Sequence, residues 1–117
     1  MLVGIRFYNT LSRKLEDFTP IKDGKVSFYS CGPTVYNFAH IGNLRANTFY
    51  DLIARYLRYK GFEVQHVMNI TDVDDKIINR ANETGEDPSK LAERYAEKYL
   101  RHLDELHVLP ADVYPKV

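Results

Sequence analysis

Between residues 41 and 57 the chain repeats apolar side chains at spacings of three and four: Ile41, Leu44, Thr48, Phe49, Leu52, Ile53, Tyr56 and Leu57. That period places them on one face of an α-helix. Gly61 supplies the stop. Before the helix, Val26-Ser27-Phe28-Tyr29-Ser30 alternates apolar and polar, reads as a strand, and is closed by Cys31-Gly32-Pro33. After it, Phe62 to Ile70 reads as a second strand. Strand, loop, long helix, strand predicts a βαβ unit with parallel strands, because only a crossover of that length can return the chain in the same direction.

The flanks are plainer. Leu2 to Tyr8 reads as a short strand, Asn9 to Pro20 as a turn and lead-in, and Lys22-Asp23-Gly24-Lys25 as a turn. Thr71 or Asp72 is expected to cap a short helix that ends at Gly85, with Asp74 and Asp75 near its positive end. Asp87-Pro88 is expected to open a last helix. Ala92, Tyr95, Ala96, Tyr99, Leu100, Leu103 and Leu106 would form its apolar face, and Glu97–Arg101 an i,i+4 ion pair. Pro110 and Pro115 read as a linker. Two or three strands are few for a doubly wound sheet, so the chain reads as the opening of a larger α/β domain, with an unpaired sheet edge and an exposed apolar helix face.

Composition narrows the class. The 117 residues are 44% hydrophobic and 27% charged, which excludes a disordered or collagen-like chain. No apolar run approaches the ~18 residues of a membrane span, and the first residues lack a signal-peptide pattern. A single cysteine, Cys31, makes no internal disulfide and points to a reducing cytoplasmic setting. The net charge is zero, but residues 1–60 carry nine basic and four acidic residues (+5), and residues 61–117 carry seven and twelve (−5). A basic first half suits an anionic ligand such as a nucleotide; equally, the two halves could simply attract each other.

The chemistry concentrates between Tyr29 and Arg45, at the junction of a strand's carboxyl end and a crossover helix. In open α/β sheets ligands occupy that crevice, and a helix start with free N–H groups favours phosphate. His40 can donate to a phosphate oxygen, Gly42 leaves the turn open to a base or ribose, and Asn43 both donates and accepts. Neither a G-x-x-x-x-G-K loop nor a G-x-G-x-x-G loop is present. Taken alone, Cys31 reads as a small apolar residue. His66, His102 and His107 read as structural or exposed, Asp72, Asp74 and Asp75 as capping groups, and most of the aromatics as core.

In context these residues carry a resemblance. His40-Ile41-Gly42-Asn43 is similar to the His-Ile-Gly-His signature of class I aminoacyl-tRNA synthetases. With Phe7-Tyr8-Asn9-Thr10-Leu11, Cys31-Gly32-Pro33-Thr34-Val35-Tyr36 and Asn69-Ile70-Thr71-Asp72-Val73-Asp74-Asp75-Lys76, the whole chain resembles the amino terminus of the cysteinyl-tRNA synthetase family. The resemblance implies that residues 1–117 are the N-terminal portion of a Rossmann-like, nucleotide-binding catalytic domain. It implies activation of L-cysteine by ATP with Mg2+, then transfer to tRNA(Cys), by an enzyme that is monomeric in full. His40 and Asn43 would be catalytic and, with Gly42, would bind ATP. Gly32, Thr34 and Thr71 would bind the substrate. Cys31 would be one ligand of a zinc ion that grips the substrate thiolate, its other ligands lying outside this chain; zinc's preference for sulfur would discriminate against serine.

Two departures qualify the match. Asn43 stands where the signature has its second histidine and cannot be cationic. No Lys-Met-Ser-Lys-Ser-like loop, later zinc ligands or anticodon-binding region is present, so the sequence reads as a piece of a longer protein, catalytically incomplete by itself. Two alternatives stand beside the synthetase: a ligase that joins cysteine to an amino-sugar, and a non-catalytic nucleotide-binding fragment.

Overall fold

A computed structural model describes residues 4–117. The expected first strand begins later than its sequence signal: β1 is Arg6–Asn9, and Leu2 and Val3 lie outside the described residues. The expected turn and lead-in contains a strand, β2 (Lys14–Asp17), paired antiparallel with β1. Every residue of both strands is exposed. Polar pairs replace burial here, with Arg6 against Asp17 at 3.2 Å and Asn9 Nδ2 donating to Glu16 at 3.0 Å. A strand with no buried face has no alternation to betray it.

The central prediction holds. β3 (Lys25–Ser30) and β4 (Glu63–Met68) pair in parallel, Val26 opposite Val64 and Phe28 opposite His66, joined by α1 (Ile41–Tyr59). No helix among the described residues is long and apolar enough to cross a membrane. The carboxyl-terminal segment corrects the linker reading. Val113 bridges Val67 and Lys116 bridges Ile70, both parallel, and the carbonyls of Val113 and Pro115 accept from Met68 N–H and Ile70 N–H at 3.0 and 2.9 Å. The segment therefore lies along β4 as an edge, where proline is tolerated.

α2 (Asp75–Thr84) is capped by Asp74, whose side chain accepts from Lys76 N–H at 2.9 Å. That displaces the expected cap from Thr71 or Asp72, because Thr71 is engaged in a bridge to Thr34. Asp87 and Pro88 open α3 (Pro88–Glu105) as expected. Its buried face adds Leu91 to Ala92, Tyr95, Tyr99 and Leu103, while Leu106 is the exposed C-cap. The ion pair near its end is Arg101–Glu105 at 3.9 Å rather than Glu97–Arg101.

The core gathers at the carboxyl ends of the strands. Val35, Ile70, Ile77, Ala81, Leu91, Ala92 and Tyr95 form one cluster, and Met68, Tyr99, Leu103 and Ala111 another. Much of α1's stripe stays uncovered: Ile41, Phe49 and Leu52 are 75%, 58% and 59% exposed, and the buried side is Asn47, Ala54 and Leu57. So narrow a sheet covers only part of a wide stripe, as the count of strands anticipates.

His66 is buried, its ring stacked on Phe28 at 4.3 Å and its Nε2 2.7 Å from Ser30 Oγ. Burial lowers its pKa below the ordinary 6.5; nearby Asp112 opposes the shift. Below pH 6.5 the unfolded chain therefore binds more protons than the folded one. His66 stabilises the fold in full above that pH, and the contribution fades as pH falls toward the lowered value. The urea midpoint is expected to drop between pH 7 and pH 5, and His66→Gln to flatten that portion of the curve; an unchanged slope in the variant would assign it elsewhere.

Candidate functional site

The site begins where β3 and β4 end. Immediately after β3, Gly32 N–H donates to Asn69 Oδ1 at 2.7 Å, and Asn69 Nδ2 donates to Thr71 Oγ1 at 3.3 Å. A Cβ on Gly32 would lie 1.6 Å from the Asn69 carbonyl oxygen, so the two backbones meet at a distance only glycine allows. Pairing resumes one step later: Val35 N–H donates to the Thr71 carbonyl at 3.2 Å, and Thr71 N–H to the Pro33 carbonyl at 3.0 Å. Gly32, Thr34 and Thr71 thus stand together at the carboxyl end of the parallel pair, beside Cys31, which is exposed. Asn69 belongs to the quoted sequence motifs, yet its role as the clamp between strand ends had no separate sequence signal.

The second group sits at the start of α1. His40 is the N-cap, its Nδ1 accepting from Gly42 N–H at 3.1 Å. An accepting Nδ1 leaves the neutral ring's proton on Nε2, on an exposed side chain able to donate to a ligand. A Cβ on Gly42 would approach His40 Nδ1 to 3.2 Å, so this glycine also makes room for the cap. The helix-start N–H groups are less free than the sequence suggests: Gly42 serves the cap, and Asn43 and Leu44 donate to the His40 carbonyl. Asn43 is exposed, and its carbonyl accepts from Asn47 Nδ2 at 2.9 Å.

Thr34, His40 and Asn43 line one cleft of about 70 Å3, with Tyr95 and Tyr99 of α3 opposite. Cys31, Gly32, Gly42 and Thr71 do not line it. A larger cleft of about 640 Å3, lined by Lys25, Val26, Glu63 and Val64, lies at the opposite ends of the same strands. Position distinguishes them: ligands of open α/β sheets bind at the carboxyl ends of the strands, which is where the small cleft lies.

Zinc needs at least three protein ligands, and no group of three or more His, Cys, Asp or Glu stands together among the described residues. Cys31 and its surroundings therefore do not by themselves fit a zinc ion.

Gly32→Ala tests the strand-end clamp. The overlap is with main-chain oxygen, which cannot rotate away, so the variant is expected to lose ~3 kcal/mol or fail to fold. Urea denaturation with a loss below ~1 kcal/mol would show the approach to be soft.

Residues 17–117 match the family described as the tRNA synthetases class I (C) catalytic domain. A cysteine--tRNA ligase of Pyrococcus abyssi is 55% identical over 98% of this chain and 24% of its own length. One from an Exiguobacterium species is 56% identical over 97% and 24%. The chain thus spans about a quarter of the length of these relatives. Among solved structures, LeuRS in the ternary complex of Agrobacterium radiobacter K84 LeuRS with tRNA and LeuAMS superposes with a TM-score of 0.65 at 26% identity, covering 79% of this chain and 12% of that one. With its parallel strand pair, its capped crossover helix and a match over residues 17–117, the chain belongs to the class I (C) tRNA synthetase catalytic-domain family.

Proposed function

We propose that residues 1–117 form the N-terminal portion of a class I catalytic domain that activates L-cysteine with ATP and Mg2+ and ligates it to tRNA(Cys) in the cytoplasm. The observation that supports this most directly is the meeting of Thr34, His40 and Asn43 in one cleft at the carboxyl end of β3. His40 and Asn43 would contact ATP and stabilise charge that develops at phosphorus, with Gly42 admitting the nucleotide. Gly32, Thr34 and Thr71 would bound the amino acid. The reaction needs placement and charge neutralisation more than a protein nucleophile. In the same reading Cys31 is one zinc ligand, the rest coming from outside these residues. The cysteine--tRNA ligase relatives favour this over an amino-sugar ligase.

The test is ATP–pyrophosphate exchange with cysteine, and serine as control, on this chain and on the full-length Pyrococcus abyssi relative. The relative is expected to exchange with cysteine and not serine; the chain, which lacks a Lys-Met-Ser-Lys-Ser-like loop, is expected to bind ATP without exchange. Removing a charge-assisted donor in His40→Ala should weaken ATP binding by the chain about tenfold or more, read by titration calorimetry. Exchange by the chain alone would overturn its incompleteness. Equal ATP affinity in His40→Ala would overturn the nucleotide site.

A further inference from the structure

Asn47 is a polar residue within α1, only 4% exposed, and it meets the site described above only through its bond to the Asn43 carbonyl. A buried helix position that faces a core is ordinarily filled by a good helix former such as leucine or alanine; asparagine there needs a reason. Its amide nitrogen donates in two directions. One bond goes to the Asn43 carbonyl in its own helix at 2.9 Å, and the other to the Tyr99 hydroxyl on α3. A side-chain amide has two hydrogens, so both are spent. Tyr99 is itself 3% exposed and belongs to the buried cluster with Met68, Leu103 and Ala111, against which Ala39 and Leu44 pack. Burial raises its pKa and keeps the hydroxyl neutral, and its oxygen accepts the Asn47 bond. Tyr99 also lines the cleft that His40 and Asn43 share.

We propose that Asn47 and Tyr99 are positioning residues: through the Asn43 carbonyl they fix the first turn of α1 against α3, so that His40 and Asn43 meet the nucleotide already in place. The inference rests on the reading that His40 and Asn43 contact ATP. Preset geometry matters because a contact that must first be ordered loses affinity to the entropy of ordering. The chain of contacts is short and continuous, from the α3 core through Tyr99 and Asn47 to the backbone of the signature.

Tyr99→Phe keeps the ring and removes only the hydroxyl, and Asn47→Leu removes both bonds. ATP affinity by calorimetry is expected to fall about tenfold in Tyr99→Phe. Amide hydrogen exchange at Asn43 and Leu44, whose N–H groups bond the His40 carbonyl, is expected to speed up, with the α3 core unchanged. Because the two side chains share one bond, the double variant should lose little more affinity than Asn47→Leu alone. Unchanged ATP affinity in Tyr99→Phe, or uniform acceleration of every amide, would overturn the positioning role and leave a structural one. His40→Ala separates the two claims. If it loses ATP while Tyr99→Phe does not, only the positioning fails; if it binds as tightly as the parent chain, or the parent binds no ATP, both fail.

Discussion

The contact between Gly32 and Asn69 governs this molecule. Two parallel strands normally end by diverging, since their loops leave in different directions. Here the Gly32 N–H is captured by the Asn69 side chain, and the Asn69 carbonyl fills the space a Cβ would need. Because the ends are pinned, the next residues can pair again through Thr34 and Thr71. That second pairing fixes where the loop from Pro33 to Ala39 departs, and hence where His40 starts α1. A hydrogen bond of ordinary strength contributes only ~1 kcal/mol net. Its larger effect is geometric: it makes the loop's origin a fixed point rather than a frayed end.

From that fixed point the site divides by chemistry. Residues that would meet an amino acid stand on strand ends, and those that would meet a nucleotide stand on a helix start. Thr34 is the strand-end residue that lines the cleft with His40 and Asn43. α3 closes the far side with Tyr95 and Tyr99, aromatic walls whose rings pack into the core on their other faces. Basic side chains lie over this surface, Lys98 above Phe38 at 4.5 Å and Lys76 above Tyr36 at 5.7 Å. The charge division of the sequence appears as exposed ion pairs between the halves, Lys25–Glu63 and Arg58–Asp112. Exposed pairs of this kind are each worth under ~1 kcal/mol, so they bias the arrangement without determining it.

What the sequence disclosed follows from which forces leave a period. Burial leaves one, so β3, α1, β4 and the face of α3 were legible from spacing. β2 was not, because one cross-strand ion pair and an Asn9–Glu16 hydrogen bond hold it and no residue of it is buried. The carboxyl-terminal edge was hidden by its prolines, which ordinarily argue against a strand. Pro115 fits because it contributes only its carbonyl to β4. The α2 cap lies at Asp74, three residues past Thr71, which a strand bridge engages, and two past Asp72. The signature residues were legible as a string, but the long-range contacts of Asn47, Asn69 and Tyr99 were not. Their importance lies in partners 52, 37 and 52 residues away, and separations of that size leave no local pattern.

The occupied helix start also changes how a phosphate would be held. The sequence suggests free N–H groups at the helix start, yet Gly42, Asn43 and Leu44 already spend theirs inside the first turn. With those three N–H groups engaged, the helix dipole and the side chains carry more of any anion contact there. A dipole acting on an exposed anion contributes ~0.3–1 kcal/mol. A charge-assisted hydrogen bond from the His40 ring to phosphate contributes ~1.5–3 kcal/mol. In the proposed nucleotide site the side chain would therefore outweigh the dipole, and recognition would depend on ring orientation more than on backbone shape. The cap sets that orientation: Nδ1 is tied to Gly42, so Nε2–H is the group presented outward. A site built this way tolerates little motion in the first turn, since moving the turn moves the donor.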